Sequence, residues 1–195
     1  MTVRKMLALA LVLLVGSAAN PGVLAQDRGA QLRRAVATSS LADVQKLAPS
    51  KDVVNSADSQ GLTSLMIAAA LGKSDVVSFL LKSGATIEAA TTEWKATPLM
   101  FAANYGRLDV ATALVNAGAS LEAVDKDGYT MVDYCILPTT GQTDADRDRA
   151  IAVGKYLNSK GAPPAKIKND DIVSVLIGTN REPDRLKKLI DGVLK

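Results

Sequence analysis

Apolar and polar positions repeat along the middle of the chain with an offset of 34 residues. The segment LTSLMIAAALGKSDVVSFLLKSGATIEAA at 62–90 aligns with ATPLMFAANYGRLDVATALVNAGASLEAV at 96–124, and 13 positions are identical. Self-similarity at a fixed period in this range is typical of stacked structural repeats. The pattern therefore predicts a chain built from copies of one small unit.

The residue types within a copy predict two helices joined by a tight turn. Pro98 follows Thr97 at a helix start, where the N–H that proline lacks would have no helical partner. Gly106 and Gly118 end the two helices, because glycine tolerates the left-handed backbone of a helix terminus. Between these glycines, apolar residues recur at helical spacing. One such unit cannot bury both of its faces, so the copies must stack.

Weaker copies flank the two clear ones. We expect four repeats, at about 26–57, 58–90, 91–124 and 125–162. The helical segments within 163–195 are expected to form a C-terminal cap. The fourth copy is ten residues longer than the third between Thr and Gly, with the insertion near LPTTGQTDADRDR. We expect a loop there and a longer second helix, which Thr143 and Asp146 would begin as a capping box.

The pattern DSQGLTSLMIAAALG at 58–72, followed by LLKSGA at 80–85, resembles the ankyrin repeat. ATPLMFAANYG and LVNAGA match it again at 96–106 and 114–119. The resemblance implies an all-α solenoid of stacked antiparallel helix pairs with protruding turns. It also implies a concave face that binds a partner protein.

The chain departs from the family pattern at several points. Met66, Met100 and Asp133 stand where the family has histidine, so a hydrogen bond that ties adjacent loops is missing or replaced. Ser64 replaces a proline, and one extra residue lies in the turn near Thr91.

The N-terminus has the layout of a secretory signal peptide. Arg4 and Lys5 precede the apolar run at 6–15, and small residues follow. The run is shorter than the roughly 20 residues that span a membrane. Cleavage is expected after Ala25, with Ala19 as the alternative site, and an uncleaved anchor is the competing interpretation. We expect a periplasmic or secreted protein without a stable membrane anchor.

Charge and composition exclude several classes of function. The chain carries a net charge of +3, of which the signal segment supplies two units, so a general affinity for nucleic acid is not expected. Histidine is absent, which removes Ser-His and Cys-His catalysis and most transition-metal sites. Cys135 is the only cysteine and falls at a helix-stack position, so it is expected to be a buried, inert thiol. No cofactor is expected.

Three aspartates give one candidate metal motif. Asp144, Asp146 and Asp148 have the 1-3-5 spacing of a calcium loop. Arg149 and Lys155 occupy the places where such a loop needs glycine and glutamate. Acidic residues also suit a helix start, so no metal site is predicted.

The candidate binding residues are large side chains at positions that the repeat leaves variable. Trp is unique and Tyr occurs only four times, yet these types favour protein interfaces. The alternative is that each ring only covers a neighbouring turn. The predicted protein-binding residues are Leu62, Leu71, Trp94, Tyr105 and Tyr129, whereas Phe79 and Phe101 are expected in the core.

The resemblance and the missing catalytic motifs lead to one functional hypothesis. We expect a monomeric, non-catalytic module that binds a protein of unknown identity through the concave face. An inhibitor or immunity protein that occludes a partner enzyme is one version of it. A hydrolase or stress enzyme on the same scaffold and a purely structural adaptor are the alternatives.

Overall fold

The computed structural model describes residues 28–48, 50–136 and 143–167. The expected signal peptide and most of the expected C-terminal cap lie outside these ranges and stay predictions. The described residues contain isolated bridges at Ala57–Thr63 and Val124–Thr130, and no strand. The helices are α1 Arg28–Thr38, α2 Leu41–Leu47, α3 Lys51–Val54, α4 Ser64–Leu71, α5 Ser74–Lys82, α6 Pro98–Asn104, α7 Leu108–Asn116, α8 Met131–Ile136 and α9 Asp144–Ser159.

The helices form two parallel rows. The first helices of successive units, α1, α4, α6 and α8, pack against one another in chain order. The second helices α2, α5, α7 and α9 do the same, and each also packs on the first helix of its own unit. The prediction of an all-α solenoid of stacked helix pairs is confirmed over the described residues.

Local residue chemistry explains where the helices begin and end. Thr63 precedes α4 and its side-chain oxygen accepts a hydrogen bond from the Met66 backbone N–H at 3.4 Å. Pro98 occupies the first turn of α6. Gly72 ends α4 with φ 74°, a left-handed conformation that favours glycine. Two features require glycine at position 106. Its φ is 63°, and a Cβ there would lie 2.7 Å from the Ala150 backbone nitrogen of α9.

Small residues line the contacts between the first helices. Ala68, Ala69, Ala102 and Ala103 are all fully buried, as expected for helices that approach closely. Phe101 is also buried, which confirms its place in the core.

Phe79 differs from the expectation. It is only half-buried and packs at the edge of the core, so the prediction of a core position is wrong. It lies on α5, in the row of second helices, where one side of each helix faces solvent.

The fourth unit bears out two local expectations. The Thr143 side chain accepts from the Asp146 N–H at 3.2 Å, while Asp146 accepts from the Thr143 N–H at 2.9 Å, so the capping box is present. The Thr143 hydroxyl also donates to the Asp146 carboxylate at 2.7 Å, and this bond first, then the one from the Thr143 N–H, lowers the pKa of Asp146. Cys135 is buried, and its thiol donates to the Met131 carbonyl at 3.4 Å.

Asp133 replaces the loop-tying bond of the family histidine. Its side chain is fully buried and accepts from the N–H and the hydroxyl of Thr130 at 2.7 and 2.9 Å. Its second oxygen accepts from the Ile167 N–H at 2.9 Å, 34 residues further along the chain. The carboxylate thus fastens the segment after α9 to the start of α8. The sequence left open whether the loop-tying hydrogen bond is missing or replaced, and at Asp133 it is replaced.

Candidate protein-binding surfaces

Three turns project from the starts of α4, α6 and α8, and we call them the turn row, residues 58–62, 91–96 and 125–129. In the first, the Asp58 carboxylate accepts from the N–H groups of Gln60 and Leu62, both at 2.9 Å. In the third, Asp125 accepts in the same way from Asp127 and Tyr129 at 2.9 Å. The first and third turns are therefore each held rigid by an aspartate at the base.

The middle turn is one residue longer, as the sequence predicts. Thr91 takes the place of the aspartate, and its hydroxyl oxygen accepts from the Ala96 N–H at 3.0 Å. Lys95 has φ 55°, a backbone region in which Gly61 and Gly128 lie in the other turns. A non-glycine residue in this region carries some backbone strain.

Backbone hydrogen bonds join the tips of the three turns. The Thr92 N–H donates to the Gln60 carbonyl at 2.9 Å, and the Lys126 N–H donates to the Trp94 carbonyl at 3.1 Å. Gly61 allows this approach, because a Cβ there would lie 2.7 Å from the Thr92 nitrogen. The turn row is therefore one continuous surface rather than three separate loops.

A lysine from the next segment covers each of the two aromatic rings in the turn row. The Lys126 ammonium lies 3.4 Å from the centroid of the Trp94 ring and 3.9 Å from the Glu93 carboxylate. The Lys166 ammonium lies 5.5 Å from the Tyr129 ring centroid and donates to a backbone carbonyl of the third turn at 2.7 Å. Attraction between a cation and a ring face orders both side chains.

Polar side chains surround the two rings. The exposed members of the turn row carry both signs of charge and several neutral groups. They are Ser59, Gln60, Thr92, Glu93, Lys95, Lys126 and Asp127. A half-buried aromatic pair inside a polar margin has the composition of a protein-binding surface.

The structure divides the five predicted binding residues into three groups. Trp94 and Tyr129 are half-buried in the turn row. Leu71 and Tyr105 are also half-buried, but they lie at the opposite ends of α4 and α6, about 10 Å along the helix axis.

Leu62 is 2 % exposed and belongs to the core, so its prediction as a surface residue is wrong. It directly precedes the N-cap Thr63, and an apolar residue there typically packs against the fourth helical residue. That residue is Ile67, which is also buried.

A cleft lies where the first helices end, and we call it the loop cleft. It has a volume of about 340 Å³ and is bounded by the α4–α5 and α6–α7 loops and by α9. The lining includes Leu71, Gly72, Arg107, Leu108, Arg149 and Ala152.

Sequence reasoning missed the basic residues at this edge of the stack. The Arg107 Nε donates to the Ala70 carbonyl at 2.9 Å, and the Lys73 ammonium donates to the Ser39 carbonyl at 3.2 Å. Each thus ties its own unit to the end of the preceding first helix. The sequence did contain a signal for these contacts. Lys73 and Arg107 are 34 residues apart, and each directly follows a helix-ending glycine.

Tyr105, which directly precedes the cleft residue Gly106, has a shifted pKa. Burial raises the pKa of Tyr105, and the positive charge of Arg107 opposes the shift. The hydroxyl of Tyr105 therefore stays protonated to higher pH than that of an exposed tyrosine.

The described residues bear on two further properties, metal binding and membrane crossing. In that part of the chain, no group of three or more His, Cys, Asp or Glu could hold a metal ion. Over the same residues, no helix has the length and apolar character needed to cross a bilayer.

Comparison with known families agrees with the helix pairs and turns. A model described as ankyrin repeat matches residues 60–92, and one described as ankyrin repeats (many copies) matches residues 88–135. The search of curated proteins found no match. Residues 60–135 of the chain belong to the ankyrin repeat family. Ankyrin repeats are generally protein–protein interaction modules and typically non-catalytic scaffolds.

Proposed function

We propose that this protein binds another protein through the turn row and does no chemistry of its own. The observation that carries the proposal is the continuity of the three turns. Two backbone hydrogen bonds fasten their tips together, and Lys126 and Lys166 fix the rings of Trp94 and Tyr129. A surface that is already ordered loses little conformational entropy when a partner docks.

The chemistry of the turn row suits a protein partner. Trp94 and Tyr129 can bury part of each ring at the centre of a contact, while the exposed polar side chains form its margin. Aromatic residues in such positions commonly contribute most of the binding energy.

A matched pair of serine substitutions tests the proposal. Ser59→Arg adds a long charged side chain within the turn row, and Ser78→Arg adds the same side chain to the exposed face of α5. Tagged wild-type and variant proteins would be used to capture partners from the compartment in which the protein resides. The proposal expects a partner that wild type and Ser78→Arg retain and Ser59→Arg loses. Equal capture by both variants would contradict it.

An inhibitor or immunity role is a narrower version of the same proposal. In it, the partner is an enzyme and the turn row covers its active site. A partner captured as above would be assayed for activity with and without the protein. Inhibition that Ser59→Arg removes would support the role, and unchanged activity would reject it.

Export is also part of the proposal, and it rests on the N-terminal sequence. The positive residues, the apolar run at 6–15 and the small residues before Gln26 support removal of residues 1–25. The mature protein is then a periplasmic or secreted monomer that begins at Gln26, or at Asn20 by the alternative cleavage. N-terminal sequencing of the native protein tests this, and an intact Met1 on cytoplasmic protein would contradict it.

A further inference from the structure

The loop cleft is separated from the turn row by the length of the first helices, and the proposed function does not use it. We propose that it binds the C-terminal end of a protein or peptide, with an apolar last side chain in the cleft and the terminal carboxylate on Arg107. This site is independent of the partner that the turn row binds.

The apolar part of the cleft is available to a ligand. Leu108 is 39 % exposed and, with Val124, is one of two large hydrophobic residues that are exposed in the described part of the chain. Leu71 contributes a second, half-buried apolar wall. A volume of about 340 Å³ is at the small end of the range for ligand pockets, which suits one apolar side chain and its terminal group.

Arg107 supplies the positive charge. Over residues 28–48, 50–136 and 143–167, its Nε donates to the Ala70 carbonyl, and its two terminal nitrogens make no hydrogen bond or ion pair. A guanidinium group can bind both oxygens of a carboxylate through such nitrogens. Arg149, the other cation in the lining, is already paired with Asp146. The binding charge is therefore that of Arg107.

The position of the Arg107 side chain is set before any ligand arrives. A Cβ on Gly72 would lie 2.8 Å from the Arg107 Cδ, so the arginine stem crosses directly over the glycine backbone. The bond from Nε to Ala70 fixes the other end of that stem. A guanidinium held in this way loses less freedom when it binds a carboxylate.

Asp109 favours a ligand with a single terminal carboxylate over an acidic internal segment. It also lines the cleft, and its negative charge repels a segment that carries several carboxylates. A single terminal carboxylate beside an apolar side chain meets Arg107 with less of this repulsion. The lining therefore favours a chain terminus over an acidic internal segment.

A pair of labelled peptides tests the inference with the purified protein. Fluorescein-labelled Gly-Ser-Gly-Ser-Leu with a free C-terminal carboxylate is compared with the same peptide ending in an amide, by fluorescence anisotropy. The free acid should bind at least about tenfold more tightly than the amide, because a charge-paired carboxylate contributes at least that factor. Equal binding of the two peptides, or no binding of either, would overturn the inference.

Two alanines of α9 provide a matched control. Ala152 lines the cleft and Ala145 does not, and both side chains are exposed, so the fold has room for glutamate at either place. Ala152→Glu should weaken binding of the free acid about tenfold or more, while Ala145→Glu leaves it unchanged. Equal affinities of the two variants would show that the peptide binds elsewhere. Neither substitution lies in the turn row, so the result is independent of the partner captured there.

Discussion

The Lys126 ammonium lies 3.4 Å from the centre of the Trp94 ring, and the two residues belong to neighbouring turns. The same lysine donates its backbone N–H to the Trp94 carbonyl. One residue thus ties two repeats together through both its backbone and its side chain. Ordering of this kind makes the exposed turns of the repeat stack a usable binding surface.

The tether at Asp133 gives a prediction for stability. Asp133→Ala removes the acceptor of three donors that are buried or nearly so, two on Thr130 and one on Ile167. Since unsatisfied buried donors are costly, the free energy of unfolding should fall by about 2–4 kcal/mol. Urea denaturation measures it. Asp127→Ala, at an exposed position, should stay within about 0.5 kcal/mol. Equal effects of the two changes would contradict the tether.

The close approach of α4 and α6 gives a second prediction. Ala102 is fully buried on α6, which packs against both α4 and α8, so Ala102→Leu adds volume that the site cannot hold. Overpacking of this kind costs about 1–3 kcal/mol, and the thermal midpoint should fall accordingly. Ala145→Leu makes the same change on the exposed face of α9 and should shift the midpoint little. An unchanged midpoint for Ala102→Leu would be incompatible with the stack.

Burial of Tyr105 predicts a loss of stability in alkali. Because its pKa is raised in the folded state, the neutral hydroxyl stabilises the fold fully below the unfolded pKa of about 10. That contribution is lost as the pH rises from there through the folded pKa. Tyr105→Phe should therefore lose less stability than wild type above about pH 10. Urea midpoints across this range measure it, and parallel curves for the two proteins would refute the prediction.

The helices could be predicted from the sequence because their signals act within a few residues. Thr63, Pro98 and Gly72 each set a helix end through their own backbone chemistry. Side-chain exposure at the turns was harder to predict. Leu62 looks like a variable surface position in the repeat pattern, yet it packs beside the helix that follows it.

Contacts between repeats could not be predicted from one copy at a time. Lys126 meets Trp94, and Arg107 crosses Gly72, only because adjacent units stack in one particular register. The sequence marks both positions with suitable residue types. It does not specify which side chain of the next unit lies opposite.

The affinity of Trp94→Ala for a partner captured through the turn row tests the central claim most directly. Loss of the ring and its lysine contact should cost about 1 kcal/mol of stability, so the variant should remain folded. Phe79→Ala, which removes another half-buried ring on α5, is the matched control. Titration calorimetry should show binding weaker by about 2 kcal/mol or more for Trp94→Ala and unchanged for Phe79→Ala. Wild-type affinity in folded Trp94→Ala would contradict the claim that the turn row is the binding surface.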